Sequence, residues 1–154
     1  ERGRRSGTSN VAGIVGFAAA LAAADAEREE AAQRVAKLRD RLAAGLAATV
    51  PGLVRTVPEG AAPLLPSVLH VCIDGVESET LLFLLESDGV MASAASSCSS
   101  GAQETSHVLA AMGVPTGTAR GSLRLSLGWD STERDVDLAL DAVPAAVERV
   151  KAFG

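Results

Sequence analysis

The feature that most constrains this chain is its opening, where helical patterning begins near Asn10 and is not stopped until Pro51-Gly52. The pattern has two parts. From Asn10, a residue suited to cap a helix, Val11, Ile14, Val15, Phe17, Ala18 and Leu21 leave hardly any polar face. That arrangement predicts a buried helix over residues 10–24. A second helix is predicted over residues 26–49, amphipathic, with Val35, Leu38, Leu42 and Leu46 as its apolar stripe and Glu30 and Arg34 four apart on the wet side. Any fold that starts this way must bring a large apolar surface to the first helix and a sheet or helix layer to the second.

The remaining patterns are shorter. Strands are predicted at residues 53–57 and 67–73, with a loop around Gly60-Ala61-Ala62-Pro63 between them. A helix at residues 77–87 carries Leu81, Leu82, Leu84 and Leu85, ends at Gly89, and leads into a short strand at Val90-Met91-Ala92. Residues 93–104 are rich in Ser, Ala and Gly and have no period. Ser106 is placed to cap a helix running to Met112, closed by Gly113. Ser122 to Leu127 alternates between polar and apolar residues, the period of a strand with one buried face. A last helix starts near Thr132, with Val136, Leu140, Val143, Val147 and Val150 on one side and Pro144 predicting a kink or a restart. Long helices with several short strands give an α+β fold, a short sheet with helices packed on it.

Composition narrows the function classes. At 154 residues the chain is large enough for one domain with a real core. No apolar run is long and pure enough for a membrane span. A net charge of −5 and a pI near 5.0 argue against a nucleic-acid surface, although a local basic patch is compatible with them. Two cysteines, Cys72 and Cys98, are too few for a disulfide framework and fit a reducing compartment. With two histidines and no CxxC or HExxH pattern, a protein-built zinc site is not expected. Only two of the 14 basic residues, Lys37 and Lys151, are lysines, and the chain starts Glu1-Arg2-Gly3-Arg4-Arg5, without Met, which predicts a piece of something longer.

Few residues are candidates for chemistry. Cys98 lies among small residues that offer little to pack against and little resistance to motion, which suits a reactive thiol on a mobile loop. A loop cysteine without a role fits the composition equally well. Arg124 alternates with Leu123, Leu125 and Leu127, so it shares the polar strand face with Ser126. A guanidinium held on a strand is a good carboxylate clamp, but spacing alone also describes a solvated arginine. Ser6-Gly7-Thr8, ahead of the first helix, could offer donors to an anion, a weak signal shared by many helix starts. His107 is near enough to Cys98 in sequence to be a proton partner, and Cys72, on the same strand face as Val68 and His70, reads as structural.

Four stretches, in order, resemble the C-terminal part of cysteine desulfurases, the NifS/IscS-like group of pyridoxal-phosphate enzymes with the class V aminotransferase fold. Glu1-Arg2-Gly3-Arg4-Arg5-Ser6-Gly7-Thr8-Ser9-Asn10-Val11 is similar to the family's ERGxRSGTxNV. Ser96-Ser97-Cys98-Ser99-Ser100-Gly101 resembles its active-site cysteine loop. Ser106 to Gly113 and Leu123-Arg124-Leu125-Ser126-Leu127-Gly128 complete the set.

The resemblance implies a small C-terminal domain of a fold-type I pyridoxal-phosphate enzyme over residues 25–154, with residues 1–24 ending a large-domain and dimer-interface segment. It implies that Cys98 takes sulfur from L-cysteine as a persulfide and releases L-alanine, that Arg124 binds the substrate carboxylate, and that Thr8 reaches the cofactor phosphate of the other subunit of a homodimer. The implied partners are an iron–sulfur scaffold or another sulfur acceptor, and the implied location is the cytoplasm, without membrane or direct nucleic-acid contact. Two departures stand out: Ala95 replaces a loop glycine, and Trp129-Asp130-Ser131-Thr132 replaces a commoner arginine-led segment. The family's Schiff-base lysine, stacking histidine and ring-nitrogen aspartate belong to an N-terminal large domain and have no match here. The expectation is therefore that this chain alone neither binds pyridoxal phosphate nor desulfurates cysteine. It needs its own N-terminal large domain or a second chain. A selenocysteine or cysteine-sulfinate lyase, or a non-catalytic interaction module, would share much of this sequence.

Overall fold

The computed structural model describes residue 3 and residues 6–58, 60–61, 64–94 and 106–153. Helix α1 spans Val11–Thr49 without a break. The two helices expected from the pattern are one. The change of pattern near residue 25 runs through Ala24-Asp25-Ala26, which contains no breaker, so the backbone continues while the surface it presents changes. Asn10 caps α1 as expected, its side chain accepting from the Gly13 amide at 2.9 Å, and Gly52 at φ +80° turns the chain after it.

The burial expected of the first stretch, which calls for a neighbour outside this chain, is not supplied by the described residues. Every residue from 11 to 30 is exposed, and Phe17 is 70% exposed. The reason is reach. The first buried residue of α1 is Val35, roughly 36 Å along the axis from Val11 at 1.5 Å per residue, and no other described element covers Val11 to Leu21.

The sheet has three antiparallel strands, β1 (Leu53–Arg55), β2 (Val68–Ile73) and β3 (Ser122–Ser126), in the order β1-β2-β3. Helix α2 (Ser78–Ser87) follows β2; α3 (His107–Ala111) and a single turn not foreseen in the sequence, α4 (Thr116–Ala119), precede β3; α5 (Glu133–Phe153) closes the chain. Val90-Met91-Ala92 is not a strand. Pairing there is limited to one bridge, Ser93 with Arg124.

One face of the sheet builds the core. Leu69, Val71, Ile73, Leu123 and Leu125 meet Leu38, Leu42 and Leu46 of α1, Leu81 and Leu85 of α2, and Val136, Val143 and Val147 of α5. Gly45 lets α1 and α5 close together, since a Cβ there would stand 2.4 Å from the Leu140 side chain. Thr132 and Asp135 form a capping box at the start of α5, with the Thr132 amide donating to Asp135 Oδ2 at 2.8 Å. The helix runs through Pro144 without a restart. Proline removes one backbone bond, and the buried flanks Val143, Ala146 and Val147 hold the turn against the core.

Buried Arg39 ties α1 to the segment before β2 through the Leu65 carbonyl at 2.7 Å. Ser78, at the start of α2, donates its hydroxyl to the carbonyls of Arg120 and Ser122 and so fixes where β3 begins.

Candidate functional site on the outer sheet face

The second face of the sheet is polar and only partly covered. Directly opposed residues of an antiparallel sheet share a face, so the register aligns Val54, Cys72 and Ser122 in one row and Thr56, His70 and Arg124 in the next. The first row is covered at its centre and on the β3 side: Cys72 packs with Leu109 of α3 and Ala119 of α4 and is 1% exposed, Ser122 is buried, and Val54 on the edge strand is exposed. The second row is open at Arg124 and half-buried at Thr56 and His70.

Arg124 is where alternation placed it, exposed between buried Leu123 and Leu125. Its backbone exchanges two hydrogen bonds with Ser93, at 2.7 and 3.1 Å. Among the described residues, no carboxylate pairs with its guanidinium. An uncommitted guanidinium on a rigid strand is what an incoming carboxylate requires. The Ser93 pairing also fixes, beside Arg124, the start of the segment that carries Cys98 five positions later. Cys98 itself lies outside the described residues.

His70 was not singled out by the sequence. It faces Arg124 across β2 and β3, and its Nδ1 is hydrogen-bonded to Thr56 Oγ1. Burial, and then the positive charge of Arg124, hold its pKa below 6.5. A cleft of about 370 Å³ opens beside it, lined by Arg55, Val57, Leu64, Leu65, Val68 and Leu69. Thr56 Oγ1 also lies 3.9 Å from Cys72 Sγ. Burial pushes the Cys72 thiol up, against the opposing effect of that contact, so it is protonated and structural, as its strand face suggested. Cross-strand register is the signal that would have found His70, and no single sequence states it.

The other candidates stand apart. Thr8 precedes α1, at the end of the helix remote from the core, so this chain does not bring it to Arg124. His107 is exposed in the first turn of α3, and Ser106 occupies the cap position without a side-chain cap bond. Arg34 turns from Glu30 to donate to the carbonyls of Trp129 and Ser131, holding the segment that departs from the family pattern and leaving Trp129 76% exposed.

The residues present do not fit pyridoxal phosphate by themselves. Lys37 lies on the exposed side of α1, and Lys151 donates to the Pro51 carbonyl at the turn before β1, so no lysine is set beside Arg124 to bind an aldehyde. Among the described residues no cluster could hold a metal ion, and no helix is long and apolar enough to cross a membrane.

Known proteins agree with this architecture. A cysteine desulfurase IscS of Methanosarcina thermophila is 44% identical over 151 residues, 98% of this chain and 37% of its own length. A cysteine desulfurase IscS of Clostridium botulinum is 39% identical over 149 residues, 97% of this chain and 38% of its own. The chain therefore spans little more than a third of these relatives. The solved structure of a NifS-like protein superposes with a TM-score of 0.77 at 37% identity, over 96% of this chain and 36% of the other. A NifS-like protein of Rickettsia africae gives 0.74 at 27% identity, over 94% of this chain and 36% of its own. The sequence profile described as aminotransferase class-V matches residues 1–139. The three-stranded sheet with its helices corresponds to part of a NifS-like pyridoxal-phosphate enzyme, and this chain belongs to the class-V aminotransferase family.

Proposed function

We propose that this chain is the cysteine-bearing part of a pyridoxal-phosphate-dependent cysteine desulfurase. In this reading residues 25–154 form the small domain. Residues 1–24 belong with a large domain, supplied by the same protein or by a second chain, within a homodimer. The supporting observation is Arg124: an exposed guanidinium without a carboxylate partner among the described residues, fixed by its backbone to the segment leading to Cys98.

The chemistry that pyridoxal phosphate would supply, if held by the large domain, is an electron sink. This chain supplies the rest. Arg124 takes the α-carboxylate of L-cysteine and orients it. The Cys98 thiolate accepts the sulfur as a persulfide, L-alanine leaves, and an iron–sulfur scaffold or another acceptor takes the sulfur. Thr8 contributes a hydroxyl to the cofactor phosphate of the other subunit, a role that suits its distance from Arg124 within one chain. The apolar surface of Val11, Ile14, Phe17 and Leu21 is the part covered by the large domain. The cytoplasm suits a protein that works through a free thiol.

The test is mass spectrometry of the cofactor-loaded enzyme containing this chain after incubation with L-cysteine. One added sulfur on Cys98 is expected, absent in Cys98→Ser, whose release of L-alanine should fall by about two orders of magnitude or more. Undiminished desulfuration by Cys98→Ser would overturn the reading.

A further inference from the structure

The row Thr56, His70, Arg124, Ser93 crosses the sheet at the position where the carboxylate clamp stands. Its spacing follows from the hydrogen-bond pattern. The Ile73 amide donates to the Gly121 carbonyl and the Leu127 amide to the Ser67 carbonyl, so odd-numbered residues of β2 form the hydrogen-bonded pairs with β3. His70 and Arg124 are therefore a non-hydrogen-bonded pair, the kind in which opposed side chains approach most closely, with Cβ atoms about 4.5–5.5 Å apart. On its other side His70 is bound by Thr56, through its own carbonyl at 3.2 Å and through Nδ1.

We propose that His70 forms the substrate-carboxylate site jointly with Arg124, as an uncharged donor whose ring is fixed by Thr56. The proposal rests on the reading of Arg124 given above and adds a residue to it. The two nitrogens of an imidazole lie nearly opposite each other, so a ring that turns Nδ1 to Thr56 carries Nε2 on the side away from β1. With the Thr56 hydroxyl donating to Nδ1, the proton sits on Nε2, which donates beside the guanidinium fork. A carboxylate at position 70 would pair with Arg124 and compete with substrate. A lysine there would crowd it with like charge. Neutral imidazole does neither, and burial together with the Arg124 charge keeps it neutral.

The experiment uses steady-state kinetics on the cofactor-loaded enzyme containing this chain, with L-cysteine as substrate, for Arg124→Lys, His70→Ala, His70→Gln and the double variant His70→Ala/Arg124→Lys. Arg124→Lys should raise KM by more than about tenfold, and His70→Ala by about fivefold with kcat changed less than about twofold. His70→Gln, which puts an amide donor near the place of Nε2, should return KM to within about twofold of the parent value. The double variant should be no worse than Arg124→Lys alone, because the two residues serve one carboxylate.

An unchanged KM in His70→Ala, with KM raised in Arg124→Lys, overturns the role of His70 and leaves that of Arg124 standing. An unchanged KM in Arg124→Lys overturns both. Multiplying effects in the double variant, or a loss confined to kcat and thermal stability, makes His70 a structural residue and overturns the proposal. Should His70→Ala fail to fold, Thr56→Val takes its place, with the same rise in KM expected and an unchanged KM overturning the proposal.

Discussion

Leu123 and Arg124 are neighbours in sequence on opposite faces of one thin sheet, and the two faces obey different rules. On the inner face Leu123, Val71 and Leu69 are closed in by three helices and almost free of solvent. There size and shape decide, because each methylene removed leaves a void that the packed surroundings fill only partly. On the outer face Arg124, His70 and Thr56 sit at the edge of a layer that covers Cys72 and stops. Few contacts there restrain the residue type, so charge and hydrogen bonding decide instead. The same strand is thus held rigid from one side and leaves Arg124 exposed on the other, where the proposed clamp would act. That combination suits a clamp whose guanidinium has to be held in place.

The contrast breaks most visibly in stability. Leu123→Ala should cost about 2–5 kcal/mol in chemical denaturation, whereas Arg124→Ala should stay within about 0.5 kcal/mol of the parent chain. Comparable losses from both would mean that the outer face is packed like the inner one. Gly121, at the start of β3, is the next test. A Cβ at that position would stand 1.9 Å from the Ile73 carbonyl oxygen, so Gly121→Ala should cost at least about 1–3 kcal/mol. A shift of the denaturation midpoint too small to measure would show that the two strands can separate freely.

Cys72 sharpens the boundary between covered and open rows. In a Cys98→Ser background its alkylation at neutral pH should be at least about tenfold slower in the folded chain than in denaturant, because the thiol is buried and its pKa is raised. Equal rates would place Cys72 on the open surface. The smallest effect concerns His70. Its folded pKa lies below 6.5, so the unfolded chain takes up the proton first. The stability due to the neutral ring is complete above that value and declines as the pH falls below it. Denaturation at about pH 7.5 and about pH 5.5 should show a smaller acid loss in His70→Gln than in the parent chain. Equal losses would remove the linkage.

Local patterns made much of the molecule legible. The alternation of Ser122 to Leu127 places Arg124 on the correct face, the apolar stripe of α1 marks Val35, Leu38, Leu42 and Leu46 as core, and Asn10 marks the start of α1. Patterns that depend on a neighbour stay open until that neighbour is present. Val11 to Leu21 has the composition of a buried helix, yet burial requires a second surface, and no described element of this chain provides one. Two adjacent patterns read as two helices because hydrophobic periodicity reports what a helix packs against, while continuity is decided by the absence of a breaker. Pro144 predicts a kink or a restart because its own missing bond is visible in sequence, whereas the packing that holds its flanks, and with it the continuity of α5, is not.

By itself the sequence determined most of the element types, the inward faces of β2, β3 and the C-terminal half of α1, and the residue chemistry available: two arginines in strands, one thiol among small residues, two lysines. These follow from periodicity and composition, which are local properties. Only the tertiary structure decided which strands pair and in what register. It thereby set His70 opposite Arg124, Thr56 behind His70 and Ser93 beside them. Register arises from contacts between residues far apart in the chain, where a slip of one position would turn every side chain to the other face, and a short strand alone does not specify it.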